Sequence, residues 1–166
     1  MKRLVSLLLI LALCLSLTAC ANPNAVTYYY VRNPDEYLYG VSDGVMVGES
    51  REAGGHVDNL RYLLILYLHG PISDHLKSPF PAGTKLVELN REGDDLTVQL
   101  TSMFTVLEGA DLTLACACLA RTCFELTDVQ TVTVLAMGWK TVSMTMERDH
   151  LLLMDDSAES ITELPQ

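Results

Sequence analysis

The sequence is poor in basic residues. Lysine and arginine number 11 against 21 aspartates and glutamates, a formal charge of −10 over 166 residues. Phosphate binding is dominated by Lys and Arg, so this sparse and scattered set argues against a nucleic-acid surface. Tryptophan is nearly absent, with Trp139 alone in a turn between two strands, which leaves little for a sugar-stacking cleft. Glycine makes no phosphate cradle, since Gly54-Gly55 is too short for one. No second Cys or His pair stands at zinc-finger spacing. The chain is nevertheless no disordered acidic tail. It is 49% hydrophobic and 19% charged, which suits one globular domain of ordinary size.

What is present begins with an export signal. Met1-Lys2-Arg3 is a short positive segment, and Leu4 to Leu17 is apolar apart from Ser6 and Ser16. A helix of about fourteen residues reaches roughly 21 Å, short of the roughly 30 Å hydrocarbon core. Residues 1–19 therefore read as a cleaved leader. Leu17-Thr18-Ala19-Cys20 then resembles the bacterial lipobox, Leu-(Ser/Thr/Ala)-(Ala/Gly)-Cys. That resemblance implies diacylglyceration of the Cys20 thiol, cleavage between Ala19 and Cys20, and anchoring at the outer face of the cytoplasmic membrane. The alternative is an ordinary secretory peptide cut after an A-x-A-like site. Removing residues 1–19 takes away Lys2 and Arg3 and no acid, leaving 147 residues with nine basic and 21 acidic groups, a charge of −12. Anionic headgroups repel such a domain, so the lipid must hold it there. Residues 20–25 form a tether, 26–155 the domain and 156–166 an acidic tail.

Val26 to Val31 is β-branched and aromatic and stops at Asn33-Pro34-Asp35, which spells a strand. Val45 to Val47 is extended, and the polar, glycine-rich Gly48 to Val57 reads as a loop. Leu60, Leu63, Leu64, Tyr67 and Leu68 recur at helical spacing, with Asp58 or Asn59 as cap and Gly70 and Pro71 as the stop. Pro79, Pro81 and Gly83 keep Lys77 to Thr84 out of helix interiors and central strands. Leu86 to Leu89 and Leu96 to Leu100 make a hairpin around Glu92-Gly93-Asp94. A second helix runs from Asp111, as N-cap, to Glu125, with Leu112, Ala115, Cys116, Leu119, Ala120 and Cys123 as its apolar stripe. Val129 to Val134 is a strand, and Thr141 to Met146 pairs with Leu151 to Met154 across Glu147-Arg148-Asp149. The order is ββαββαβ plus a C-terminal hairpin. This is an α/β domain of the α+β type, with two helices packed on one face of a mixed or antiparallel sheet.

Candidate chemistry is thin. Cys116 and Cys123 share a helix face but sit about 10 Å apart along the axis, beyond disulfide reach, and Cys118 points about 140° away from Cys123. Buried thiols are the plain reading, with Cys118 left open to pairing between molecules. His69 and His75 flank the Gly-Pro turn with Asp74 between them, and a helix-end histidine suits the macrodipole better than a metal. His56 and His150 stand alone in loops. Asp94-Asp95 and Asp155-Asp156 are solvated carboxylates rather than a general acid–base pair. Ser78 precedes Pro79 in a loop, and with no G-x-S-x-G elbow or S-x-x-K motif read around a serine, a serine nucleophile is not expected. Tyr28-Tyr29-Tyr30 reads as a strand with half its residues in the core. No catalytic residue, metal or cofactor is nominated.

Three segments resemble the GerMN domain, named after a germination and sporulation lipoprotein of spore-forming bacteria. Leu63 through Pro71, Leu-Leu-Ile-Leu-Tyr-Leu-His-Gly-Pro, is similar to that family's helix ending in Leu-Leu-x-Gly-Pro. Leu76 through Leu86 is similar to its Leu-x-Ser-Pro-Ile-Pro-x-Gly-Thr-Lys-Leu segment, which puts Ser78, Pro79, Pro81, Gly83 and Lys85 on the motif. Leu112 to Val134 is similar to its second helix and following strand, and Glu49-Ser50-Arg51 to its Glu-x-Arg element. Residues 60–138 match best, as a single copy. The resemblance implies a fold related to the ring-building motifs of sporulation channel proteins. It also implies a non-enzymatic interaction or assembly role in the envelope, in sporulation or germination, with an envelope or sporulation protein or a second copy as partner. A lipoprotein binding a small ligand or cell-wall fragment is the alternative class, and an exported hydrolase the third.

Overall fold

In the computed structural model, which describes residues 24–33, 45–149 and 151, strand β1 covers Ala25–Arg32 and pairs antiparallel with β2, Met46–Glu52. The leader, Cys20 and the acidic tail lie outside the described residues. β1 alternates as its side chains dictate: Val26, Tyr28 and Tyr30 are buried and Tyr29 is half-buried on the other face. β2 overturns the loop expected from Gly48 onward. Gly48–Glu52 is strand, and its core-facing positions hold Glu49 and Arg51, opposite Tyr28 and Val26. A strand with charges on its inner face shows no hydrophobic alternation.

Asn59 caps helix α1, Leu60–Leu68, its side-chain oxygen accepting from the Tyr62 amide at 3.0 Å. Leu63, Leu64 and Tyr67 form the buried face, and Gly70 ends the helix at φ 99°. The two-residue β3, Leu76–Lys77, pairs with the end of β1, and the prolines that follow stay outside the regular elements. β4, Leu86–Glu92, and β5, Asp95–Leu100, form the expected hairpin around Gly93. A 3-10 turn over Ser102–Val106 leads to helix α2, Gly109–Leu126. Its N-cap is Glu108 rather than Asp111, which instead lies in the first turn, where a carboxylate still suits the helix dipole. α2 is the crossover that a parallel pair requires, returning the chain to β6, Thr131–Met137, alongside β5. β7, Thr141–Glu147, pairs antiparallel with β6 across Gly138-Trp139-Lys140. The closing hairpin therefore lies one strand earlier than expected. Leu151 is helical and buried, and residues 152–154 are outside the described ones.

The α+β class holds, and the strands divide between two sheets, β2-β1-β3 and β4-β5-β6-β7, instead of lying in one. α2 sits between them, against β1 on one side and β6 and β7 on the other. This position explains why burial extends past the expected stripe to Ala117, Cys118, Thr122 and Phe124. Small residues at Ala115 to Cys118 keep that helix slim enough for both sheets to close on it. Replacing Leu119 by Asp would put an unpaired charge between the two sheets. The Leu119→Asp chain should lose cooperative unfolding in a denaturant titration followed by circular dichroism. Glu92→Ala, at the exposed hairpin end, should shift stability by less than about 0.5 kcal/mol.

Candidate functional site

Glu49 and Arg51 lie two apart on β2, so both side chains fall on its inner face. Arg51 Nε donates to Glu49 Oε2 at 2.6 Å. A terminal guanidinium nitrogen donates to the Gly70 carbonyl at 2.7 Å and to the Tyr30 hydroxyl at 3.1 Å. The guanidinium carbon lies 5.1 Å and 5.4 Å from the ring centroids of Tyr28 and Tyr30. Glu49 holds the same turn from its other end, Oε1 accepting from the Ile72 and Ser73 amides at 3.0 and 2.8 Å. Pro71, between the two grips, has no N–H that needs a partner. The pair is nearly enclosed, with side chains 13% and 11% exposed.

Tyr67 is the centre of an aromatic layer beneath this clamp. It stacks on Tyr28 at 5.6 Å, tilts onto Tyr30 at 4.9 Å and meets Phe80 edge-on at 5.3 Å. Tyr30 donates its hydroxyl to the Tyr67 carbonyl at 2.9 Å, and Tyr67 donates its own to the Tyr29 carbonyl at 2.6 Å. Burial pushes both phenols well above the usual tyrosine range, so at neutral pH both remain donors. The Tyr29 amide in turn donates to Thr122 Oγ1 at 2.9 Å. On the edge of β1 that faces away from β2, side chains thus satisfy the Tyr29 groups and β3 pairs with the residues beyond them.

The motif residues shape backbone around this layer. Ser78 Oγ accepts from the Phe80 amide at 3.2 Å, a local turn that directs Phe80 inward between Pro79 and Pro81. Gly83 adopts φ 85°, and Lys85 then pairs with Thr101, whose hydroxyl accepts from the Lys85 amide at 3.0 Å. His69 Nδ1 lies 2.7 Å from the Ile65 carbonyl, which places the ring proton on Nδ1 and closes the last turn of α1. His75 is exposed. His56 belongs to a 3-10 turn and rests on the Tyr62 ring at 4.3 Å, rather than standing alone in a loop. No group of His, Cys, Asp and Glu that could hold a metal occurs among the described residues, and His150 lies outside them. Gly40-Val41-Ser42-Asp43-Gly44 does spell the G-x-S-x-G pattern, which corrects the expectation that none is present. It too lies outside the described residues, but the chain continues from it into β2, not into the helix that a nucleophile elbow needs.

Cys118 is enclosed in α2 with Cys116 and Cys123, so the surface position needed for pairing between molecules is not available. Burial pushes the Cys116 and Cys123 thiols up to about 12. A raised thiol pKa stabilises the fold fully below the ordinary value of 9.0, and that contribution is lost as pH climbs from 9.0 towards about 12. Stability measured by urea titration should therefore fall across that window, and a thiol reagent at pH 8 should label the three helix cysteines only after unfolding. For the clamp, Arg51→Met strands the Glu49 carboxylate and should cost about 3–5 kcal/mol. The Glu49→Gln/Arg51→Met double variant should cost less than the two single losses added together, as read in a double-mutant cycle.

Two open clefts complete the geometry. One, of about 500 Å³, lies between the end of α1 and the start of β4, beside His69, Thr84 and Lys85. The other, of about 410 Å³, lies between the proline segment and the start of α2, beside Lys77, Pro79, Val106 and Asp111. Thr84 and His69 border the first, and Ser78, Lys77 and Asp111 the second. The Thr84 hydroxyl has no hydrogen-bond partner among the described residues, His69 Nδ1 is committed to the Ile65 carbonyl and Ser78 Oγ accepts from the Phe80 amide, so no nucleophile is bonded to a base in this arrangement. No curated protein matches the chain. Among solved structures it is similar to the tandem GerMN domains of the sporulation protein GerM from Bacillus subtilis, at 21% identity and a TM-score of 0.48, covering 69% of this chain and 39% of that one. The chain thus spans about two fifths of that protein's length. It is also similar to a Clostridium perfringens protein described as a lipoprotein, at 15% identity and a TM-score of 0.44, covering 75% of this chain and 87% of that one. The Germane family, described as sporulation and spore germination, has a model that matches residues 27–142. That match runs from β1 into β7, across both sheets and both helices, and the chain belongs to the Germane family of sporulation and spore germination.

Proposed function

We propose that this chain is a lipid-anchored, extracytoplasmic module that works by contact and not by catalysis, in sporulation or germination of a spore-forming bacterium. One observation carries the reading: the motif residues act on the backbone and the core. Gly70 is gripped by Arg51, Ser78 turns the chain, and Phe80 between Pro79 and Pro81 is buried against Tyr67. The Ser78 hydroxyl is spent on the Phe80 amide and the Gly70 carbonyl on Arg51, so these two polar groups serve the chain itself. Membership of the family supports the sporulation setting. No described helix is long and apolar enough to cross a membrane, so attachment in this reading falls to a lipid on Cys20, after cleavage at Ala19. Four peptide steps from Cys20 to Asn24 reach at most about 14 Å, which keeps the start of β1 near the bilayer. Its partner is an envelope or sporulation protein.

Cys20→Ala should abolish acyl labelling and release the domain from the membrane fraction. A Cys20→Ala protein that keeps both label and membrane attachment refutes the anchor. Folded Ser42→Ala, His69→Ala, His75→Ala and Ser78→Ala proteins should each leave the sporulation phenotype unchanged. The purified protein should turn over nothing in a panel of peptidoglycan, peptide and ester substrates. Turnover lost with any one of those replacements would make it a hydrolase.

A further inference from the structure

Beyond the contact with an envelope partner, we infer that the outer edge of β7 pairs antiparallel with β7 of a second copy, joining two four-stranded sheets into one. β7 is the last strand of its sheet. Its bonding pattern is set at both ends. The Arg148 amide donates to the Gln130 carbonyl at 3.0 Å and the Gly138 amide to the Lys140 carbonyl at 3.1 Å, in step with the pairing of Thr131 and Glu147. Hydrogen-bonded pairs alternate along an antiparallel ladder. The even residues of β7 therefore spend their backbone groups on β6, and the odd ones, Thr141 to Glu147, turn theirs away from it. Among the described residues no backbone bond reaches the outward groups of Thr141, Ser143 or Thr145.

Open edges invite pairing, and natural sheets blunt them with charge, proline, bulges or extreme shortness. The other edges of this fold carry those devices. β2 has Glu49 and Arg51 on its inner face. β3 is two residues long and runs on into Pro79 and Pro81. β4 shifts register between Leu86 and Glu88, lends its Val87 carbonyl to Arg61 at 3.2 Å and carries Glu88, Arg91 and Glu92. β7 has no charge and no proline from Thr141 to Met146, and its register with β6 is unbroken. An edge this regular is fit to accept a strand.

The residues of β7 select which strand. Only odd positions offer outward groups, so a second β7 must pair odd with odd. The register centred on Met144 engages the whole strand, setting Ser143 against Thr145 of the second copy and Thr141 against its Glu147. On the outer face hydroxyls then meet hydroxyls, as Thr133 and Thr145 already do within the sheet at 2.9 Å. On the inner face Val142 meets Met146 of the second copy, and Met144 meets its counterpart. Val142 and Met146 are buried and Met144 is half-buried, so the apolar side chain that β7 leaves partly uncovered stands on the two-fold axis. The cations at the two ends of the seam turn into their own copy. Lys140 bonds the Leu107 carbonyl and Glu108, and Arg148 bonds the Phe124, Thr127 and Val129 carbonyls. Two acidic copies repel at long range, but salt at about 0.15 M screens exposed charges beyond about 8 Å. Residues 152–166 of the same chain fit this edge less well: they have no run of alternating apolar residues and bring Asp155, Asp156, Glu159 and Glu163.

Ser143→Cys and Thr145→Cys versions of the full exported chain, with tags of different size, test the register. Directly opposed Cα atoms in such a ladder lie about 5.5 Å apart, within disulfide reach, whereas like positions here are two residues out of step, at roughly 8–9 Å. The helix cysteines are buried and do not compete. Co-expressed, the two versions should give at least about ten times more mixed disulfide than either like disulfide. Hydrogen exchange on the unaltered chain is the second readout. The Ser143 and Thr145 amides should be protected at high protein concentration and exchange freely on dilution, while the Met144 amide, bonded to β6, stays protected throughout. Absence of the mixed disulfide, or an equal yield of like disulfides, overturns the register. Protection at 143 and 145 that ignores dilution means that the chain covers its own edge, and no protection at any concentration means that the edge stays open; either overturns the pairing. A disulfide to a different protein overturns the second copy as occupant. None of these outcomes touches the sporulation phenotypes or the absence of turnover on which the contact reading is tested.

Discussion

Three separately encoded pieces meet at the Arg51–Glu49 pair: strand β2, the turn leaving α1, and the tyrosine layer of β1. Withdrawing two charges from water costs several kcal/mol each, and only near-complete hydrogen bonding offsets it. Here the guanidinium has a carboxylate, a carbonyl, a hydroxyl and ring faces, and the carboxylate has two backbone amides. Two apolar residues would bind β2 to the core equally well, yet would leave the polar groups of the turn at Gly70 to Ser73 without these partners. The charges therefore specify where the turn sits, beyond adding adhesion. Tyr67 lies at the end of the same helix, so fixing the turn also fixes Tyr67, and through it Phe80 and the proline segment.

Features written within a few residues were readable from the sequence. Asn59 and Gly70 bracket α1, Gly93 marks the β4–β5 turn, and the alternation of β1 gives its buried face, because capping, positive φ and burial act locally. Features whose partners lie far along the chain were not. The inner face of β2 reads as a polar loop, since what satisfies Arg51 and Glu49 stands 19 and 24 residues further on. A helical period reveals one apolar face of α2, while its second covering layer is β1, the first strand. Thr141–Met146 and Leu151–Met154 look alike as strands, and only the register of Met137 with Thr141 shows which one pairs.

The same reasoning separates the two kinds of site. Gly70, Ser78, Pro79, Pro81 and Gly83 declare their work in their own backbone chemistry. Lys85, the lysine of the motif, borders the cleft at the end of α1, whereas Lys77 borders the one at the start of α2, a division that only the folded chain shows.

The sealed edge of β1 also has a time axis. Val26–Val31 is an uncharged, β-branched and aromatic hexapeptide, the composition that stacks most readily into intermolecular ladders. At Tyr29 the seal comes from the Tyr67 and Thr122 hydroxyls, 38 and 93 residues downstream of the groups they bind. At about 5–20 residues per second, a ribosome delivers Thr122 roughly 5–20 s after Tyr29. During that interval the segment is already synthesised and its ladder is open. The arrival of Thr122, and whatever shields the strand until then, therefore matter to biogenesis separately from the stability of the finished fold.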